Sequence, residues 1–561
     1  MKLVECVPNF SEGRDRRVID AIGAAMAGVD GVKLLDVDPG AATNRTVYTL
    51  VGEAEQVAEA AFRGIRAATE LIDMSRHSGE HPRQGACDVC PFIPLSGATM
   101  DDCVDLSRRL GKRVGDELGV PVFLYEYAAT RPERRSLTAI RAGEYEALEA
   151  KLEDPAFAPD FGPARFVPRF GAMVTGAREF LIAYNINLNT RNAKIAKDIA
   201  LEIRDSGRIA RDDEGRKLSA EDGSAVRKPG KFDHCKATGW FIDEYRCAQV
   251  TMNLTNFRVT PVHMVFDEVC RLAQERGARV TGSEIVGLVP LDVLRMAGEH
   301  YLRRQGAGAG VATDRLIEVA VQSMGLKDVA PFDPARKVIE FQTRDRNSGL
   351  MGLTVNGFAD ELSSDSAAPG GGSVAALCGA LSSGLSAMVA QLTFVKKGFE
   401  GVREEMDGLA VSAQLLKERF ARAVDEDTDA FNQVMAAMRL PKKTDPEKAA
   451  RSEALQAATL GAVMVPFRVL ESCREAAELA RAVVSRGNPN SLSDAGVASL
   501  CARLAAEGAW YNVLINLPGL EDKGKVAELS GRATELLSGV EAICDAVNAE
   551  VRQRLRAGIG S

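Results

Sequence analysis

The sequence predicts two halves of different class: an α/β (α+β sandwich) half of two subdomains, then an all-α half. Three observations predict it. Strand-like and helix-like segments alternate up to about residue 341. The polar, glycine-containing stretch QTRDRNSGLMG (342–352) interrupts the pattern, and beyond Ser373 helix signals follow one another with β signals nearly absent. At 561 residues the chain also exceeds what one ordinary core serves. The expected boundaries are 1–180 and 181–343 for the α/β subdomains, 344–352 for a linker and 353–561 for the helical domain.

In the first half, VKLLDVD (32–38) and RTVYTLVG (45–52) are β-rich runs on either side of the turn PGAATN. VAEAAFRGIRAATELID (57–73) places apolar residues at helical spacing, and TMDDCVDLSRRLGKRVGDEL (99–118) opens on Thr99 as N-cap with acids in its first turn. VCPFIPL (89–95), VPVFLYEYA (120–128) and REFLIAYNINL (178–188) are further strands. The polar run 205–239 reads as loop or hairpin, with strand and helix signals resuming at Trp240.

Composition narrows the class. With 46% hydrophobic and 26% charged residues the chain is an ordinary soluble globular protein. A net charge of −8 argues against general nucleic-acid binding. Eleven cysteines without framework spacing point to a reducing, cytoplasmic setting. The N-terminal MKLVECVPNFSEGRDRR lacks the apolar core of a signal peptide. The uncharged run 366–395 is long enough to span a bilayer, but it consists largely of Ala, Gly and Ser and lacks flanking Trp or Tyr. Gly379, Ser383 and Ala387 recur in it at four-residue steps that let helix backbones approach. It reads as a buried helix of a soluble bundle, with no membrane partner.

Two stretches carry candidate chemistry. HSGEHPRQGACDVC (77–90) gathers His77, His81, Glu80, Arg83, Asp88, Cys87 and Cys90. Gly79, Pro82 and Gly85 break any helix, so the two histidines do not form a helical metal-binding face. A zinc set would need all four ligands from one short loop, whereas closed sites join ligand pairs from separate segments. A solvated polar loop and a catalytic imidazole oriented by Glu80 or Asp88 both remain open on residue chemistry.

The second stretch is LLKERFARAVDEDTDAFNQVMAAMRL, in which Leu416, Phe420, Val424, Phe431, Val434 and Met438 form an apolar stripe. Asp427 falls inside that stripe, whereas Asp425, Glu426 and Asp429 are expected in solvent. Burial raises a carboxyl pKa, which suits a general acid, although a buried ion pair would satisfy the same pattern. PGGGS (369–373), with Gly371 and Ser373, opens a helix whose N–H groups suit an anion, or forms a tight turn before close packing. GNPNSLSDAGVA (487–498) is a candidate second wall, with Asp494 as N-cap or ligand contact.

Longer strings carry a resemblance. VECVPNFSEGR (4–14), LLDVDPG with TNRTVYTLVG (34–52), DMSRHSGEHPRQGACDVCPFIPL (73–95), IRAGEYEAL (140–148), FVPRFGA (166–172), GAREFLIAYNINL (176–188), VGLVPL (286–291) and APFDP (330–334) resemble the formiminotransferase half of the formiminotransferase-cyclodeaminases. SAAPGGGSVAA (366–376), MRLPKKT (438–444), SDAGVA (493–498) and WYNVLINL (510–517) resemble the cyclodeaminase half.

The resemblance implies a bifunctional folate enzyme of histidine degradation. It would move the formimino group of N-formimino-L-glutamate to tetrahydrofolate. It would then close 5-formiminotetrahydrofolate to 5,10-methenyltetrahydrofolate with loss of ammonia. Tetrahydrofolate, polyglutamylated, is the implied co-substrate, with no metal. The implied assembly is a homo-oligomer of helical-domain dimers, up to an octamer.

Residue by residue, the resemblance puts the transferase histidine at His81 and the cyclodeaminase acid at Asp427; His77, Glu80 and Arg83 take supporting places on proximity to His81 alone. One folate-lining segment is Gly162, Pro163, Ala164, Arg165, Phe166, Val167, Pro168, Arg169, Phe170 and Gly171. Its arginines suit the tail carboxylates and its phenylalanines the aromatic rings. The other is Gly230, Lys231, Phe232, Asp233, His234, Cys235, Lys236, Ala237, Thr238 and Gly239, where Lys231 and Lys236 suit an anion. The helical half also resembles methenyltetrahydrofolate cyclohydrolases, and a non-catalytic folate-binding scaffold is the rival of another class.

Overall fold

The alternating runs of the first 177 residues pair into one mixed sheet. Its strands are β1 (Leu3–Cys6), β2 (Asn9–Phe10), β3 (Val32–Gly40), β4 (Arg45–Glu53), β5 (Cys87–Ser96), β6 (Val122–Glu126) and β7 (Met173–Ala177). β3 pairs with β4, the short β1 and β2 both lie between β4 and β5, and β7 then β6 complete the sheet. β7 runs parallel to both β5 and β6; the other pairings are antiparallel. One face packs on the helices Arg16–Ala27, Ala54–Leu71 and Met100–Leu118, burying Phe10, Phe62 and Phe92 with Cys6, Cys87 and Cys90. Each such phenylalanine contributes roughly 1.5–3 kcal/mol. Thr99 caps the third helix as expected, in a reciprocal capping box with Asp102. On the opposite face Val89, Phe123, Tyr125 and Val174 meet Ile140, Leu148 and Leu152.

This computed structural model describes residues 2–559 apart from 42, 80, 213, 221–224, 244 and 344–348. Glu80 and residues 344–348 of the expected linker therefore lie outside the described residues.

A second, wholly antiparallel sheet follows. β8 (Ile182–Leu188) is succeeded by the two-rung hairpin β9 (Arg208–Ile209) and β10 (Arg227–Lys228). Then come β11 (Cys235–Ile242), β12 (Cys247–Leu254) and β13 (Val280–Val286), in the order β11-β12-β8-β13. The run expected as loop up to residue 239 thus yields its last five residues to β11. That strand is an edge with only Cys235 fully buried, so its apolar alternation is weak.

Five long helices beyond residue 370 pack on each other: Gly371–Phe394, Arg403–Met438, Asp445–Arg486, Leu492–Asn516 and Lys523–Ile559. Small residues on the first allow the close approach that their spacing suggested, with Gly379 against the Phe420 ring and Ala375 and Ala376 in the core. This helix and Asp445–Arg486 are each long and apolar enough to cross a membrane, and 61% of the first one's apolar window is buried within the protein. The stripe on Arg403–Met438 holds only in part. Leu416, Phe420 and Val424 are core, but Phe431 and Met438 are exposed, because the last two turns of the helix run past the core.

By its contacts the chain divides into Met1–Val293 with Met324–Arg344, and Leu294–Ser323 with Asp345–Ser561. In this grouping Leu294–Ser323, inside the expected subdomain 181–343, falls with the helices, through polar contacts. Within that unit, buried Asp407 accepts from the Ala309 N–H at 2.5 Å and from Arg303 Nε at 2.9 Å, and Glu418 pairs with Arg295 at 3.0 Å.

Candidate active sites

The loop that carries His81 is held from three sides. Asn44, in the left-handed region at φ 47, donates to the Ser78 carbonyl and accepts the Gly13 N–H, both at 3.0 Å. Tyr145 donates its N–H to the Arg83 carbonyl at 2.9 Å and its hydroxyl to the Pro168 carbonyl at 2.6 Å. Gly171, at φ 78, lies so close to the Gln84 carbonyl that a Cβ would come within 2.1 Å of it. Segment 162–171 is thereby pinned against the histidine loop.

His81 is partly buried, and its Nδ1 lies 2.6 Å from the Pro82 carbonyl. A carbonyl only accepts, so Nδ1 carries the hydrogen and the lone pair of the neutral ring sits on Nε2. Burial first, then the guanidinium groups of Arg45 and Arg141, hold the imidazole down to about 4. At neutral pH it is an unprotonated base.

The expected orienting role of Asp88 is corrected. Its Oδ2 accepts from Arg45 and from Arg141 (2.6 Å), and its Oδ1 from the Gln84 N–H at 3.0 Å. Burial pushes this carboxyl up, but Arg45 and Arg141 outweigh it and hold it below the usual range. The Pro82 carbonyl orients the ring instead. Arg45 and Arg141 were not singled out from sequence; both lie in the longer strings quoted above, but no spacing rule connects positions 45, 88 and 141.

His77 and Arg83 are struts. His77 Nε2 donates to the Asn44 carbonyl at 2.8 Å, and its Nδ1 accepts from Arg83 Nε at 3.4 Å. Arg83 also pairs with Glu146 at 2.6 Å and Glu144 at 3.1 Å. Cys87 and Cys90 belong to the helix-side core, with Cys90 Sγ 3.5 Å from Cys6 Sγ. Among the described residues no group of three or more His, Cys, Asp or Glu is placed to hold a metal.

The two lining segments divide. Arg165 and Arg169 are exposed, and Phe166 stacks tilted on Tyr145 at 5.3 Å between centroids. Phe170 is a core side chain, so the ring-facing role expected of it is corrected. Arg169 donates to the Glu70 carbonyl at 3.3 Å. Lys231 is engaged by Glu268 at 2.6 Å, which corrects its expected availability to an anion. Lys236, by contrast, is exposed on β11, where it and His234 act electrostatically on Glu126 at the end of β6.

The second site lies where Arg403–Met438 crosses the start of Gly371–Phe394. Asp427 Oδ2 accepts from Ser373 Oγ at 3.2 Å, and Ser373 Oγ also donates to the Val424 carbonyl at 2.9 Å. A Cβ on Gly372 would fall 2.2 Å from Asp427 Oδ1, so glycine there is what admits the carboxylate. Burial raises the Asp427 pKa, and the hydrogen bonds from Ser373 oppose it only in part. Asn512, which was not singled out, presents Nδ2 to Gly371.

Two expectations fail in this site. Asp425 is not solvated: its Oδ1 accepts the Leu350 N–H at 2.6 Å. Asp494 is not the N-cap of Leu492–Asn516, which is Ser491. The Asn488 N–H donates to Thr393 Oγ1 at 2.8 Å, at the far end of the helix that Ser373 opens. Residues 373 and 393 are about 30 Å apart along that helix at ~1.5 Å per residue.

Comparison with known proteins covers nearly the whole chain. Residues 3–178 match the family described as the formiminotransferase domain, N-terminal subdomain; residues 183–344 match the formiminotransferase domain, and 354–535 formiminotransferase-cyclodeaminase. A formimidoyltransferase-cyclodeaminase of Sus scrofa is 43% identical over 538 residues, covering 96% of each chain. A glutamate formimidoyltransferase of Thermoplasma acidophilum is 45% identical over 57% of this chain and 99% of its own. A methenyltetrahydrofolate cyclohydrolase of Methylorubrum extorquens is 37% identical over 35% of this chain and 97% of its own. The crystal structure of a formiminotetrahydrofolate cyclodeaminase from Thermotoga maritima aligns with 27% identity and a TM-score of 0.32, covering 37% of this chain and 98% of that one.

Proposed function

The chain belongs to the formiminotransferase-cyclodeaminase family, and we propose that it is a bifunctional folate enzyme of histidine degradation. The observation that carries this reading is the presence, in one chain, of two separately built acid/base groups, His81 and Asp427. In the first step N5 of tetrahydrofolate attacks the amidine carbon of N-formimino-L-glutamate. His81 Nε2 takes the N5 proton and returns it to the departing glutamate nitrogen. In the second step N10 closes onto the formimino carbon and its proton passes to the formimino nitrogen; protonated Asp427 adds the second proton, and the C–N bond breaks to release ammonia and leave the methenyl cation. Each step forms one C–N bond and breaks another, and tetrahydrofolate, polyglutamylated, is the co-substrate. Folate would run past segment 162–171, with Phe166 and Arg165 on its path, toward Lys236.

The reading includes a homo-oligomer. Leu381, Met388, Leu392 and Val395 form an exposed apolar stripe on Gly371–Phe394, as do Val497, Leu500, Leu504, Tyr511 and Ile515 on Leu492–Asn516. These helices are neighbours in the bundle. An apolar surface of this extent supports burial against a second copy, and with it the dimer of helical domains that larger assemblies would use. We place the enzyme in the cytoplasm, a reading supported by eleven cysteines without framework spacing.

The relative named as a methenyltetrahydrofolate cyclohydrolase favours one second reading, in which the helical unit uses water on the methenyl compound. One experiment separates these. Wild type, His81→Ala and Asp427→Ala are given formiminoglutamate and tetrahydrofolate, then 5-formiminotetrahydrofolate alone, with methenyltetrahydrofolate and ammonia followed together. His81→Ala is expected to cyclise the added intermediate, and Asp427→Ala to accumulate it. Wild type that releases no ammonia from the intermediate, but hydrolyses methenyltetrahydrofolate, supports the cyclohydrolase instead. Binding without turnover on either substrate leaves only a folate-binding scaffold.

A further inference from the structure

Asp88 is fully buried and supplies one negative charge, yet two guanidinium groups converge on it, those of Arg45 and Arg141. Their side chains are only 10% and 12% exposed. Among the described residues this cluster therefore carries one uncompensated positive charge, close enough to His81 for both arginines to act on its ring. Two buried donors here, Arg141 Nε in the cluster and Nε2 of Gln84, whose backbone N–H binds Asp88, have no hydrogen-bond partner among the described residues. An orphaned buried donor is destabilising, more so when charged, so these two point to an acceptor that arrives with a ligand.

Chemistry selects the acceptor. The nitrogen that leaves formiminoglutamate is bonded to the α-carbon, so the α-carboxylate lies two bonds from the atom that His81 must protonate. The tail carboxylates of the folate are separated from N5 by the whole aminobenzoyl unit. An anion site next to the imidazole therefore suits the donor's α-carboxylate and not the folate tail. We propose that Arg141 and Gln84, seated on Asp88 and Arg45, form the subsite for the α-carboxylate of the amidine donor, an inference that rests on the transferase reading.

One consequence couples binding to chemistry. A carboxylate in this subsite cancels the surplus positive charge beside His81 and so favours proton uptake by the ring. Donor binding would thus raise the basicity of His81 at the moment the N5 proton must be taken. No bond is made or broken in this step; only the field around the imidazole changes.

The test uses the whole protein and two donors, formiminoglutamate and its α-carboxamide, with Arg141→Met and Gln84→Met beside wild type. Gln84→Met leaves the Asp88 ion cluster intact, so it reports even if Arg141→Met fails to fold. Wild type should prefer the carboxylate over the carboxamide by about tenfold or more in kcat/KM, the weight of a charge-assisted hydrogen bond. In both variants the KM for formiminoglutamate should rise and the preference shrink, most in Arg141→Met, while the KM for tetrahydrofolate moves little. Wild type that uses the carboxamide equally well, or variants that lose both donors and folate in proportion, overturn the subsite alone. Wild type that transfers from neither donor overturns the transferase reading and the subsite together.

Discussion

His81 is tuned by its neighbours rather than by its own loop. The ring is held neutral by burial and by Arg45 and Arg141, which bring its pKa to about 4. A proton is therefore lost from the folded protein at a pH where the unfolded chain, with an ordinary histidine, still holds it. The working base form is present above that value and is lost as pH falls through it. The acid limb of kcat/KM for transfer is accordingly expected well below the ordinary histidine range, at about pH 4. In Arg141→Met, with one repelling charge gone, the limb should move up. A limb at the ordinary histidine position in wild type would show that the cluster does not govern the ring. At this scale the sequence singled out His81 by resemblance, and the structure gives its ring a hydrogen-bond partner other than the one expected. Asp88 was close in number, but its oxygens were already committed to three donors.

Asp427 depends on two helices that meet at a glycine. Gly372 opens Gly371–Phe394 and leaves room for the carboxylate on Arg403–Met438, while Ser373 supplies a hydrogen bond from the next position. Gly372→Ala adds one methyl 2.2 Å from Asp427 Oδ1, so either the carboxylate or the helix start must shift. Cyclisation should fall by about a hundredfold or more, the order of loss for a misplaced catalytic group. Transfer at the other site should continue, and accumulation of 5-formiminotetrahydrofolate is the readout. Unchanged cyclisation would mean that this contact is not part of the working site. Helical spacing correctly put Asp427 among Ala423, Val424 and Ala430, which are buried, but it could not show that the PGGGS turn closes over it. It also overran the core: the same spacing continues through Phe431 and Met438, which are exposed.

At the scale of the molecule, the unpartnered apolar stripes on Gly371–Phe394 and Leu492–Asn516 set an expectation for assembly. Leu392→Lys with Leu504→Lys puts two charges into the surface that a second copy would cover, where desolvating each costs several kcal/mol. Light scattering should show a smaller particle with helical circular dichroism retained. An unchanged mass would place the subunit contact elsewhere. Leu294–Ser323 continues the strand and helix pattern of the first half, and it also bonds Asp407 and Glu418, far along the chain.

By itself the sequence determined what repeats locally or is written in long strings. That includes the α/β half and helical half, the Thr99 N-cap and the close-packing run at 366–395. Only the tertiary structure decided which charges meet. It placed Arg45, Asp88 and Arg141 in one cluster, committed Lys231 to Glu268, buried Phe170, and set Asn488 against Thr393 at the far end of the helix from Ser373. The physical reason is range. Periodicity and capping report on neighbours within a turn or a strand. Charge pairing and desolvation depend on distances in space, and nothing in the spacing of residues 45, 88 and 141 records those.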